Sequence, residues 1–209
     1  GSADVLTLEC KAGIVAMTLS QDVWTLTAPT AGAPALHACA VPDAEIAAML
    51  GLGAEDLLSS PMWVNTGSDQ LLIPLRTPAA VQRAALDSKQ LGNWPRSSLG
   101  RQTAYVFAPA AADGFASEAT GQGGRTEVIA RYFFAKQGGG IAEDPGTGSA
   151  CANLGAWWMA GGRRNPASLR IVQGQQIQRP CTLYLDVTPD QRIRVGGRVV
   201  EIGRGVIEI

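Results

Sequence analysis

The sequence predicts an α+β fold in which a curved mixed sheet is rolled around one central helix. Two observations carry that expectation. Strand-length apolar segments recur along most of the chain, separated by Gly, Pro, Asp and Ser turns. One segment, Ala150–Ala160, is apolar on nearly every side, so it is predicted as a helix buried all round rather than an amphipathic one. At 209 residues, 46 % of them hydrophobic, the chain is long enough to enclose such a helix.

The elements follow in order. Val5–Cys10, Ile14–Leu19 and Val23–Thr27 are predicted as hairpin strands, broken at Lys11-Ala12-Gly13 and turned at Ser20-Gln21-Asp22. Pro29–Pro34 reads as a linker and divides 1–34 from 35–209. Asp43 is placed to cap a short helix with Ile46, Met49 and Leu50 on one face and Gly51 at its end. Met62–Leu75 reads as strand, turn, strand around Thr66-Gly67-Ser68, and Pro78–Leu86 as a helix with proline in its first turn. Thr103–Ala108 and Glu127–Phe134 are predicted strands on either side of a polar, Gly-rich loop, Ala110–Arg125. Gly161-Gly162 ends the apolar helix. A β meander is expected after it, over Leu169–Gln173, Cys181–Val187, Ile193–Val195, Val199–Ile202 and Val206–Ile209, with turns at Pro189-Asp190 and Gly196-Gly197.

Composition excludes several functions. Seventeen Lys+Arg face eighteen Asp+Glu, a net charge of −1, which argues against a nucleic-acid or anionic-membrane binder. No apolar run is long enough to cross a bilayer and no basic-then-apolar leader opens the chain, so the expected location is cytoplasmic. Gly1-Ser2 resembles a vector scar. Cys10, Cys39, Cys151 and Cys181 are widely and irregularly spaced, and His37 is the single histidine. No metal site is predicted from that set, and the thiols read as free, mostly buried groups.

The chemistry concentrates at Gly138–Ser149. A glycine-rich loop leads through Asp144-Pro145-Gly146-Thr147-Gly148-Ser149 into the buried helix. The first turn of a helix leaves backbone N–H groups without partners, and the helix dipole adds partial positive charge there. Glycines allow close approach, so the loop can receive a carboxylate or phosphate. Ser149 can cap the helix or donate to a ligand, and Asp144 can move a proton or hold an amine or hydroxyl. An Asp-Pro-Gly turn before a serine cap is also ordinary chemistry for starting a helix. The loop is not a Walker phosphate loop or a dinucleotide fingerprint, since neither GK[ST] nor a strand-borne GxGxxG is present.

Glu143-Asp144-Pro145-Gly146-Thr147-Gly148-Ser149-Ala150 resembles the EDPATGSA signature of the PhzF-like (phenazine biosynthesis) family, with Gly146 where alanine is usual. Arg131–Phe134 is similar to the strand before that signature, and Trp63–Ser68 with Leu71–Leu75 to the family's TG-containing hairpin. Gln173-Gly174, Arg179-Pro180 and Val195-Gly196-Gly197 are similar to its C-terminal strands, so the resemblance runs from about Leu6 to Ile209.

The resemblance implies a diaminopimelate-epimerase-like fold of two similar lobes, each a sheet rolled around a helix, with the active site between them. It implies a cofactor-independent isomerase or epimerase that works by proton transfer; the type activity isomerises a dihydro-hydroxyanthranilate. The family's acidic and hydroxyl positions fall on Asp144 and Ser149. Gly146, Thr147 and Gly148 would bind substrate, and Gly67 and Ser68 would line the same cleft. The implied partners are a small carboxylate-bearing metabolite and a second copy of the chain in a homodimer.

The sequence also departs from the pattern. The family's SET-like glutamate motif and GHPT-like histidine motif are absent, and neither Glu45 nor His37 lies in a matching context. The expectation is therefore a C-terminal lobe at 35–209 with a remnant of the first lobe at 1–34, inactive by itself and exposing apolar surface. The alternative is a non-catalytic module that binds a small acid, or a half-enzyme paired with another chain. Cys151 lies inside the helix and reads as packing rather than as a racemase thiol. Trp157 and Trp158 read as core, Arg163 and Arg164 as dipole-complementing or solvated, and Arg96 and Arg101 as solvated. Arg131 is open between an ion pair and an anionic substrate.

Overall fold

A computed structural model describes residues 4–10, 13–28, 34–112, 114–115 and 124–206. Most of the expected 29–34 linker, residues 11–12, much of the 110–125 loop and the end of the last expected strand lie outside the described residues.

The chain opens with three antiparallel strands, β1 (Asp4–Cys10), β2 (Gly13–Ser20) and β3 (Val23–Thr27). Gln21 and Asp22 both have positive φ between the paired Ser20 and Val23, the two-residue turn whose twist suits a tight hairpin. Next come β4 (Ala35–Ala38), α1 (Asp43–Met49), β5 (Met62–Asn65), β6 (Asp69–Pro74) and α2 (Pro78–Arg83). Thr77 caps α2 by accepting from the Ala80 N–H at 3.1 Å, and Pro78 follows at its first position. β7 (Thr103–Pro109), β8 (Thr126–Ala135) and β9 (Ile141–Asp144) lead to α3 (Gly148–Ala160). β10 (Ala167–Gln173), β11 (Cys181–Val187) and β12 (Ile193–Arg198) complete the order.

All of these strands join one mixed sheet in the order β1-β2-β3-β12-β11-β10-β8-β7-β6-β5-β4, with β9 paired to β8 off that path. Two pairings, β10 with β8 and β6 with β7, are parallel; the rest are antiparallel. α3 packs on β5 and β6 and also on β11 and β12, which lie well apart in the strand order. α1 and α2 cover the other face of β5–β8. Alternate residues of β6 and β7 therefore enter two cores: Leu72, Tyr105 and Phe107 face α3, and Leu71, Ile73, Ala104 and Val106 face α1 and α2. Burial on both faces explains why these strands read as continuous apolar runs. By contrast, β1 is exposed from Val5 to Cys10.

α3 is buried from Ala150 to Trp158, as its composition requires. Gly155 lets it sit close to the sheet, since a Cβ there would lie 3.0 Å from Ile193 and 3.1 Å from Leu185. Arg163, after the helix end, lies 3.7 Å over the Trp157 ring, a cation–π contact rather than a solvated charge.

Four local expectations are corrected. Asp43 is the first residue of α1, not its cap; its carboxylate accepts from the Ser60 hydroxyl at 2.7 Å. Gly196-Gly197 is not a turn but lies within β12, where a Cβ on Gly196 would come within 2.7 Å of Thr25. Val199–Ile202 forms no strand, and Val206 is likewise outside any strand. These apolar residues are exposed, so nothing in the fold rewards their strand propensity. β9 was read as loop, because its four residues carry no alternation. No described helix is long and apolar enough to cross a membrane.

Candidate functional site

β9 runs back along β8 and places Asp144 opposite Tyr132. Pro145 and Gly146 then turn the chain into Thr147, which precedes α3. The Thr147 hydroxyl does not cap the helix. It donates to Asp144 Oδ2 at 2.6 Å. Gln173, 1 % exposed at the end of β10, clamps the turn from below. Its Nε2 donates to the Asp144 carbonyl at 2.7 Å and to Thr147 Oγ1 at 3.1 Å, while its Oε1 accepts from the Thr147 N–H at 3.4 Å.

This clamp leaves the helix mouth open. The first backbone bond of α3 is Cys151 N–H to the Thr147 carbonyl, at 3.0 Å. The N–H groups of Gly148, Ser149 and Ala150 have no partner among the described residues. Ser149 is exposed and Asp144 is partly exposed. The Gly148 and Ser149 donors, the positive end of the helix dipole and a carboxylate thus share one rim, with the Ala150 N–H buried behind them.

A second wall comes from the β5–β6 turn. Asn153, fully buried on α3, accepts at Oδ1 from the Thr66 N–H at 2.9 Å and from the Thr66 hydroxyl at 2.7 Å. Its Nδ2 donates to the Ser68 carbonyl at 2.8 Å and to Gln70 Oε1 at 2.8 Å. Gln70 Nε2 in turn donates to Ser149 Oγ at 2.9 Å and to the Tyr132 hydroxyl at 3.1 Å. A chain of satisfied amides therefore ties the turn to the mouth.

The floor is tight. A Cβ on Gly146 would lie 2.4 Å from Cys181 Sγ. The thiol thus fills the space that a methyl group would need, which gives a physical reason for glycine where the resembling signature has alanine. Gly174 (φ +79°) backs the same turn: a Cβ there would lie 2.2 Å from the Arg179 carbonyl and 2.8 Å from that of Pro145. Burial, with the Asp144 charge adding, pushes the Cys181 thiol pKa up. Burial pushes Cys151 up further. Neither sulfur is poised as a thiolate.

The residues expected to carry the site gather unevenly. Asp144, Thr147, Gly148 and Ser149 meet at the mouth, with Gly146 beneath. Ser68 holds Asn153 through its carbonyl. Gly67 (φ +129°) is exposed, and its N–H closes its own turn on Asn65 Oδ1 at 2.8 Å. Arg131 is an ion-pairing residue. It meets Glu143 through two bonds of 3.1 and 2.7 Å and donates to the carbonyls of Val81, Gln82 and Ala84 at the end of α2. Gln70 and Asn153 are not singled out by the sequence, and Tyr132 and Gln173 enter there only as members of family-like stretches. An Asn inside an otherwise apolar helix and a Gln at the polar end of an apolar strand were the available signals. His37 stacks on Trp63, and no cluster of three or more metal-ligating side chains occurs among the described residues.

The family model described as phenazine biosynthesis-like protein (PhzC-PhzF) matches residues 2–205. An uncharacterized isomerase of Pasteurella multocida is 35 % identical over 158 residues, which is 75 % of this chain and 47 % of that protein. A PhzF-family phenazine biosynthesis protein of Bacillus anthracis superposes with a TM-score of 0.67 at 19 % identity, over 94 % of this chain and 66 % of that one. A predicted epimerase of Pseudomonas aeruginosa gives 0.65 at 23 % identity, over 94 % and 64 %. The chain spans about half the length of that curated relative and about two thirds of those solved structures. The structural likenesses show a PhzF-like fold.

Proposed function

The chain belongs to the phenazine biosynthesis-like (PhzC-PhzF) family, and from that premise we propose that it performs isomerase or epimerase chemistry by proton transfer, without a cofactor, on a small carboxylate-bearing metabolite. The observation that carries the reading is the open mouth of α3, with three unpartnered N–H groups beside Asp144. The substrate carboxylate sits on the N–H groups of Gly148, Ser149 and Ala150, with the Ser149 hydroxyl as a fourth donor.

Asp144 then acts on a neighbouring carbon. Thr147 occupies its Oδ2, and Oδ1 has no partner among the described residues. A carboxylate held this way orients the substrate and assists a proton transfer between two of its carbons, so no electrons leave the substrate. The Gln173 clamp fixes the geometry of the acid. In the same reading, 35–209 is one diaminopimelate-epimerase-like lobe and 1–34 part of a second. The active form is a cytoplasmic homodimer in which a glutamate of the other lobe makes the principal transfer. Gly67 and Ser68 form the outer rim of the cleft.

One observation favours the second reading, a small-acid-binding module. Glu143 is spent on Arg131, so Asp144 is the single unpaired carboxylate at the mouth among the described residues. Deuterium uptake from D2O into a dihydroanthranilate separates the two. Turnover by the wild type that falls at least about a hundredfold in Asp144→Asn, with the fold unchanged, supports proton transfer. Binding without exchange supports the module.

A further inference from the structure

We infer that Gln70 is a positioning residue that fixes the Ser149 hydroxyl as an outward-pointing donor, and so selects an anionic group at the mouth of α3. The inference rests on the carboxylate-binding reading above and adds the residue that enforces it.

Two backbone groups have a polarity that is not open to choice. The Thr66 N–H can only donate, and it points at one terminal atom of the Asn153 side chain. The Ser68 carbonyl can only accept, and it meets the other. The Asn153 amide is therefore oriented with Oδ1 toward Thr66 and Nδ2 toward Ser68. Its Nδ2 also meets Gln70, so the Gln70 atom there must be the acceptor Oε1. That leaves Gln70 Nε2, a pure donor, facing Tyr132 and Ser149.

Consequences for Ser149 follow from valence. Its oxygen accepts a hydrogen bond from Gln70, so its own O–H is not needed inside the protein. Gln70 is 3 % exposed, whereas Ser149 opens to solvent at the mouth. The free O–H is thus presented beside the N–H groups of Gly148, Ser149 and Ala150. All four groups donate, and the set matches a carboxylate better than an ammonium or a carbonyl-poor ligand. The signal begins at the β5–β6 turn and reaches the mouth through two buried amides.

Gln70→Glu reverses the last link. A carboxylate keeps the bond from Asn153 Nδ2 and keeps the side-chain size, but it accepts where Nε2 donated. Ser149 must then donate inward. The test uses 15N-labelled wild-type chain, Gln70→Glu, Ser149→Ala and the double variant, with anthranilate as the probe. Without ligand, Ser149→Ala is expected to move the Gln70 side-chain amide resonances; unmoved resonances overturn the inference. With anthranilate, Ser149→Ala in the wild-type background is expected to weaken binding about tenfold. In the Gln70→Glu background the same change is expected to cost almost nothing. An equal cost in both backgrounds overturns the inference, because the hydroxyl would then not depend on Gln70. Gln70→Met, which makes no hydrogen bond, serves if Gln70→Glu does not fold. It is expected to give an intermediate loss and a smaller cost for Ser149→Ala. Absence of anthranilate binding by the wild type counts against the carboxylate reading, and the ligand-free resonances still decide the role of Gln70.

Discussion

Gly146 and Cys181 make the sharpest contact under the site. Alanine at 146 needs space that the thiol already holds at 2.4 Å. Gly146→Ala is expected to destabilise the chain by about 1–3 kcal/mol, as overpacking of a close-packed interior does. Adding Cys181→Ala removes the obstacle, so the double variant should recover most of that loss in urea unfolding. Additive costs would contradict the packing account. This pair also shows what a sequence conveys at the residue scale. The departure from the resembling signature is visible at 146, but its cause lies 35 positions away on another strand. The buried amides Gln70, Asn153 and Gln173 were hidden for the same reason. Asn153 is a single polar residue in an apolar run, Gln70 and Gln173 stand at the polar ends of strands, and only the fold supplies their partners.

At the level of elements, Arg131 joins three pieces of backbone. From β8 it pairs with Glu143 of the neighbouring β9 and fills the carbonyl end of α2, where its positive charge complements the helix dipole. Arg131→Met leaves Glu143 without its partner at 7 % side-chain exposure. The expected cost is about 3–5 kcal/mol, most of it from the stranded carboxylate. Anthranilate affinity of the folded fraction should stay within about twofold, since the guanidinium faces α2 rather than the mouth; this bound reflects the small effect of changes outside a contact. A large loss of affinity would restore the substrate-binding alternative that the sequence left open. The strands and helices themselves were largely legible, because alternation, proline at the start of α2 and glycine after α1 are local signals. β4, β9 and the second half of β12 were the exceptions. Four residues are too few to show a period, and Gly196-Gly197 looks like a turn until Trp24 and Thr25 are seen to press against it.

The whole molecule is built around buried groups that resist ionisation. Cys151 and Tyr105, both in the core around α3, are raised by burial. The folded state keeps their protons, whereas the unfolded chain releases them above their ordinary values of 9.0 and 10.0. Their contribution is complete below those values and is lost as pH rises. Stability should therefore fall above about pH 9, by about 1.4 kcal/mol per pH unit for each group that titrates only when unfolded. Cys151→Ala should remove one such slope from urea-unfolding free energies measured between pH 9 and 10. An unchanged slope would show that the thiol is not held neutral by the fold.

The site lies where α3 emerges from the cores, with Ser149 exposed to solvent and Ala150 buried just behind it. The central claim is that this mouth holds a carboxylate. Titration of the 15N-labelled chain with anthranilate and, separately, with aniline tests it most directly. Saturable shifts of the Gly148, Ser149 and Ala150 amides with anthranilate, and none with aniline, are predicted. Shifts centred elsewhere, or equal shifts with the uncharged amine, would contradict it.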